Sequence, residues 1–115
     1  MPAYNFKLAF AHDVEIGVKR QTIRKERKYP TKEGQELSLY TGMRTKACRL
    51  LKRAPCKSVA VIKIYGSYIT VDGVWVSGAE LEAMARADGF VSAEMFTKFF
   101  KRQYGLPFEG VLIKW

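Results

Sequence analysis

The stretch SVAVIKIYGSYITVDGVWV, residues 58–76, constrains the fold more than any other part of the chain. It is β-rich throughout, because β-branched and aromatic side chains suit a pleated, half-buried surface. Gly66 and the pair Asp72-Gly73 interrupt it, and Asp-Gly between apolar runs signals a tight hairpin turn. A chain committed to strands here must cover at least one sheet face with further elements.

Other strands read from alternation. Tyr4, Phe6 and Leu8 alternate with Asn5 and Lys7 in YNFKLAF, and Leu37 and Leu39 alternate with Ser38 and Tyr40 in ELSLYT. RQTIRK reads as a strand, and EGVLIKW as a closing one. In AFAHDVEIG, Phe10, Val14 and Ile16 fall at helical spacing and Gly17 stops the helix, which leaves His12 on a surface or rim. YPTKEGQ is a loop broken by Pro30 and Gly34. GMRTKACRLLKRAPCK reads as a polar turn, then a strand or short helix that ends at Pro55.

The last third is helical. Ser77 with Glu80 spells a capping box before AELEAMARA, and Ser92 caps AEMFTKFFKRQYG. Met95, Phe96, Phe99 and Phe100 make an apolar stripe expected in the core, and Gly105 ends the helix. Trp75 and Trp115 are expected to be structural. Five or more strands with three short helices predict an α+β fold, a small and partly open β-barrel flanked by short helices. The 115 residues suit one domain over 1–115, long enough to bury roughly two-thirds of its unfolded surface.

Charge narrows the function. Between Lys19 and Lys63 lie 14 basic residues against Glu26, Glu33 and Glu36, a net of +11 within a chain of net +9. A one-sided basic segment is the footprint of a phosphate-backbone binder, and RNA or another nucleic acid is the expected partner. The densest part, GVKRQTIRKERK, holds six basic residues, yet Ile23 in its middle asks for a core, so the stretch is not a disordered tail. No run of about 18 apolar residues is present, so no membrane partner is expected. The N-terminus lacks the pattern of a signal peptide, and a cytoplasmic location with Cys48 and Cys56 both reduced follows as an expectation. Two cysteines and a distant His12 make a poor zinc site, so neither a metal nor another cofactor is expected.

The segment GVKRQTIR resembles the G-x-K-x-x-T-I-R motif of the ASCH domain family, small barrels of the PUA-like superfamily. EGQELSLYTG resembles the strand and loop that follow the motif, DGFVSAEMFTKFF the acidic-Gly-Phe element with its helix, and GVLIKW the closing strand. The resemblance spans nearly the whole chain. It implies a PUA-like, RNA-binding fold with a basic cleft lined by Lys19, Thr22 and Arg24, faced by the acidic-Gly-Phe element. Some small bacterial members are amidohydrolases that remove the acetyl group from N4-acetylcytidine with a Lys, a Thr and a Glu. By position these are Lys19, Thr22 and, in place of the Glu, Asp88, which is one methylene shorter. Other members act as ribonucleases or bind RNA. The resemblance therefore implies a nucleic-acid binder, with a hydrolase acting on that modified nucleoside or on RNA as the alternative.

The residues themselves leave roles open. Lys19 can act as a base only if burial or neighbouring cations lower its pKa from about 10.4. Thr22 can be a nucleophile or can bond a base edge, and Asp88 can orient Lys19 or cap a helix turn before Gly89. In a strand Thr22 and Arg24 share a face while Ile23 points to the core, so Lys19 joins them only from the turn after Gly17 or beside a bulge. Arg20, Arg24, Lys25, Arg27 and Lys28, and a second cluster of Arg44, Lys46 and Arg49 with Tyr40 and Tyr29 nearby, supply the cations and stacking rings that single-stranded nucleic acid needs.

Overall fold

The hairpin residues fold as their turns dictate. In the computed structural model, which describes residues 2–115, β5 (Ser58–Ile64), β6 (Ile69–Val71) and β7 (Val74–Val76) pair antiparallel in sequence. Asp72 and Gly73 both take positive φ, 49° and 81°, the requirement of a two-residue turn that matches strand twist. β8 (Phe108–Lys114) lies on the other side of β5, and β2 (Gln21–Arg24) lies beyond β8, which completes a five-stranded antiparallel sheet. A second sheet has three strands: β1 (Ala3–Phe6) runs parallel to β3 (Glu36–Thr41), which pairs antiparallel with β4 (Arg49–Pro55). The helices are α1 (Leu8–Ile16), α2 (Gly78–Ala87) and α3 (Ala93–Tyr104). Among the described residues, no helix is long and apolar enough to cross a membrane.

β8 separates two cores. Successive strand residues point to opposite faces, so Leu112 joins Ile62, Ile64 and Ile69 under α2 and α3, where Phe96 and Phe100 are buried. Ile113 joins Tyr4, Phe6, Val14, Leu37, Leu39 and Trp115 on the side of α1 and the small sheet. Each such side chain contributes about 1.5–3 kcal/mol on burial. Gly110 of β8 is fixed by proximity: a Cβ there would meet the Phe108 ring at 2.8 Å and would also press on the Arg24 carbonyl.

The α+β class holds, but the expected barrel does not form. The strands make two sheets, and neither closes. β1 and β2 are outer strands of their sheets, and no backbone ladder joins them across the seam between the sheets. Side chains span the seam instead: Arg24 Nη2 donates to the Asn5 carbonyl at 2.6 Å and Arg27 Nη2 to the Ala3 carbonyl at 2.6 Å. At the other side, the chain changes sheets through Cys56 and Lys57: Cys56 N–H donates to the Gln35 carbonyl, next in the β3–β4 register, and Lys57 N–H to the Lys114 carbonyl of β8.

Three further expectations need correcting. Ser77 sits at the start of α2 with no side-chain cap bond, so its capping box does not close, whereas the Ser92 hydroxyl accepts from Met95 N at 3.2 Å. Met95 is 53% exposed, because the buried stripe of α3 is the narrower Phe96–Phe100 line. Trp75 is 66% exposed, stacked at 4.0 Å on Tyr68, while Trp115 is buried.

Candidate functional site

Gly17 ends α1 in the left-handed conformation that favours glycine, φ 84°. The chain then doubles back, and the N–H groups of Val18 and Lys19 both donate to the Asp13 carbonyl at 2.9 Å. That turn delivers Lys19 to the start of β2 and sends its side chain inward, where it is 4% exposed. Asp88 arrives from the other side as the C-cap of α2, its N–H bonded to the Met84 carbonyl at 3.0 Å.

The two meet in the interior. Lys19 Nζ donates to the Asp88 backbone carbonyl at 2.5 Å and lies 3.4 Å from Oδ1. The ammonium thus sits at the negative end of α2. Gln21 Nε2 donates to the same Oδ1 at 3.4 Å and contacts Met84 Sδ at 3.3 Å. The rings of Phe10 and Phe6 lie 5.2 and 5.9 Å from Nζ. Burial lowers the Lys19 pKa, against the attraction of Asp88, and Arg24 adds to the lowering. Burial likewise raises the Asp88 carboxyl above its usual range, against the pull of Lys19. Desolvation outweighs mutual attraction for both groups.

β2 presents Thr22 and Arg24 on one face, with Ile23 in the core under α2 and α3. Arg24 Nε donates to Thr22 Oγ1 at 2.9 Å, and its guanidinium lies over Phe6 and Tyr4 at 5.1 and 5.4 Å. Burial first, then Arg27, depress the Arg24 pKa, yet a guanidinium stays charged at any ordinary pH. Among the described residues, no hydrogen bond joins Lys19 to Thr22.

These side chains line a cleft of about 290 Å³ between the two cores. Phe6 and Phe10 form one wall, and Phe90, Phe99, Phe100 and Tyr104 form the other. Gly89 lets the walls approach, since a Cβ there would meet the Phe10 ring at 2.7 Å. Lys7, Lys19 and Arg24 line it against the single carboxylate of Asp88, with Asn5 and Gln103 as neutral polar groups. Lys7 Nζ lies 5.0 Å over Phe99, and Lys25, outside the cleft lining, has its Nζ 5.3 Å over Tyr104.

The structure therefore brings Lys19, Thr22, Arg24 and Asp88 into one cleft, and Lys25 touches it only through the Tyr104 ring. It does not bring in the remaining basic candidates. Arg20 turns away, its Nε on the Gly17 carbonyl at 2.8 Å. Arg27 and Lys28 line a separate depression. Tyr40 lies on β3 opposite Leu50, and Arg49 on β4 pairs with Glu15 at 2.6 Å. Arg44 and Lys46 belong to the loop before β4, which touches the cleft residue Asn5 where Met43 N donates to Asn5 Oδ1 at 2.9 Å. Reading the sequence for motifs missed Asn5, Lys7, Phe10, Phe99, Gln103 and Tyr104. Polar alternation in YNFKLAF marked Asn5 and Lys7 as off the core, and that was the one available signal for them.

Aromatic walls with cations among them can hold a planar ring joined to an anion. The volume matches one small ring system rather than a duplex. Comparison with family models, with curated proteins and with solved structures finds no match to the chain.

Proposed function

We propose that this chain is a nucleic-acid-binding domain, related to the ASCH family, whose cleft takes one unstacked base of a single strand, RNA above all. The observation that carries the reading is the cleft itself, in which ring faces from both cores flank Lys7, Lys19 and Arg24. Stacking on aromatic side chains contributes about 1–3 kcal/mol per base, and cations beside it meet the phosphates. The +11 segment and the resemblance of GVKRQTIR to the family motif support the same reading.

Salt titration of single-stranded RNA binding tests it. Reversing Arg44, Lys46 and Arg49 to Glu should weaken binding strongly. It should also flatten the salt dependence by about 0.7 in slope for each phosphate that is no longer neutralised. A triple variant that binds as tightly as the parent, with the same slope, leaves the basic segment as a solvated face only.

A second reading rests on the burial of Lys19, whose lowered pKa suits a base. In it the domain hydrolyses N4-acetylcytidine, with Thr22 as nucleophile and Lys19 taking its proton. Lys19 Nζ would have to leave the Asp88 carbonyl and reach a hydroxyl that now accepts from Arg24. Cytidine released by the parent, faster by Asp88→Glu and not by Thr22→Ala, supports the hydrolase. No cytidine from either the parent or folded Asp88→Glu leaves the three residues as a binding site.

A further inference from the structure

Two arginines reach β1, Arg24 from the end of β2 and Arg27 from the loop after it, and each of these rungs borders a different hollow. Arg24 on the Asn5 carbonyl borders the cleft. Arg27 on the Ala3 carbonyl borders a depression of about 440 Å³ that also includes Lys28, Tyr29 and Gln35. Ala3 and Asn5 are two residues apart on one strand, so the rungs are separated by about 6.6 Å.

Both arginines use the same ring. The guanidinium of Arg27 lies 3.9 Å from the Tyr4 centroid and that of Arg24 lies 5.4 Å from it. Two like charges held beside one ring repel, and each guanidinium has donors beyond the one its carbonyl takes. An anion placed between them relieves that repulsion, and bidentate phosphate recognition is what arginine does well.

Tyr29 lines the same depression as Arg27 and is 81% exposed. Its loop is held on both sides of it. Arg27 ties it to β1 before Tyr29, and the Thr31 hydroxyl bonds the Tyr4 hydroxyl after it. Lys32 N donates to Gln35 Oε1 at 2.8 Å, which closes the turn beyond. Lys28 Nζ lies 5.7 Å from the Tyr29 centroid. An exposed ring on an anchored loop, flanked by cations, is a stacking platform for a base joined to phosphate.

We propose that this depression is a second nucleotide subsite, in which Tyr29 stacks the base next to the one in the cleft and Arg24 and Arg27 share the phosphate that links them. The inference rests on the nucleic-acid reading of the cleft, and adds a direction to it: the strand runs along β1 from Asn5 towards Ala3. The domain then reads at least two consecutive nucleotides.

Binding of adenylyl-adenosine and of adenosine 5′-monophosphate, measured by calorimetry on the intact chain, tests it. The dinucleotide should bind the parent about tenfold more tightly than the mononucleotide, within the range that one stacked base contributes. That ratio should fall to near one in Tyr29→Ala and return in Tyr29→Trp, which keeps a stacking face. A mononucleotide that binds while the dinucleotide gains nothing, or a ratio unchanged by Tyr29→Ala, removes the subsite and leaves the cleft reading intact. Binding of neither ligand removes both.

Discussion

Lys19 and Arg49 come from one basic segment, and each faces a carboxylate, yet the cleft floor and the α1–β4 surface treat them oppositely. Arg49 Nη1 is only 2.6 Å from Glu15 Oε2, but the two side chains are 51% and 42% exposed. Lys19 Nζ is 3.4 Å from Asp88 Oδ1, and those side chains are 4% and 7% exposed. The shorter contact is the weaker one. Water and salt screen the surface pair, and holding two long side chains together costs entropy, so such pairs contribute about 0–1 kcal/mol. In the interior the charges interact strongly, but removing both from water costs as much or more. Solvent access, not distance, ranks these pairs. It follows that the +11 segment is not one functional unit: its buried members shape a cleft, and its exposed members set a long-range field.

The sharpest way to break this comparison is to remove one member of the buried pair. Lys19→Met should destabilise the fold by about 3–5 kcal/mol in urea unfolding, because Asp88 is left charged and buried. Adding Asp88→Asn should recover most of that loss, since a neutral amide keeps an acceptor without the desolvation. A single variant that costs less than about 1 kcal/mol would mean that water reaches the pair, and the two regions would no longer differ.

A pH series sharpens the same point with a smaller effect. The folded-state pKa of Asp88 is raised by burial. Its contribution to stability is therefore present below the unfolded value near 3.8 and is lost as pH rises through the folded value. The advantage of Lys19→Met/Asp88→Asn over Lys19→Met should be smallest near pH 4 and grow as pH rises. Lys19 behaves in mirror image: with its folded value lowered, its contribution is present above 10.5 and is lost as pH falls through that folded value. An advantage that stays flat from acid to neutral pH would show that burial does not govern Asp88.

The smallest effect is expected on the surface. Glu15→Ala should cost about 0.2–1 kcal/mol, and the loss should fade at high salt. A cost near that of the buried pair would overturn the ranking from the other side.

Much of the fold is legible in the sequence where one residue pattern has one physical outcome. Leu37 and Leu39 alternate, and Glu36–Thr41 is a strand with both leucines buried. Asp72-Gly73 permits positive φ at both positions, and the two-residue turn forms. Gly17 stops α1 and leaves Lys19 in the following turn, where a strand-face argument required it. Other features depend on which surface meets which, and periodicity does not encode that. Phe99 and Phe100 lie on one stripe of α3 and both wall the cleft, but Phe100 is buried in the core while Phe99 is partly buried and lies under Lys7. Alternation marked β1 and β3 without saying whether β1 and β2 would ladder. Arg24 and Arg27 resolve that question through carbonyls 19 and 24 positions away.

The arginine-spanned seam also bears on how the molecule behaves among its own copies. Strand edges with open N–H and C=O groups are templates onto which a strand from another chain can add. β1 and β2 are each the outer strand of a sheet, and Arg24 and Arg27 place two bulky charged groups on the β1 carbonyls. A foreign strand entering there would have to displace two guanidiniums from the carbonyls they hold. Losing Arg24 and Arg27 would uncover the Asn5 and Ala3 carbonyls on the outer edge of β1, so a hazard at this seam is recruitment of neighbouring molecules.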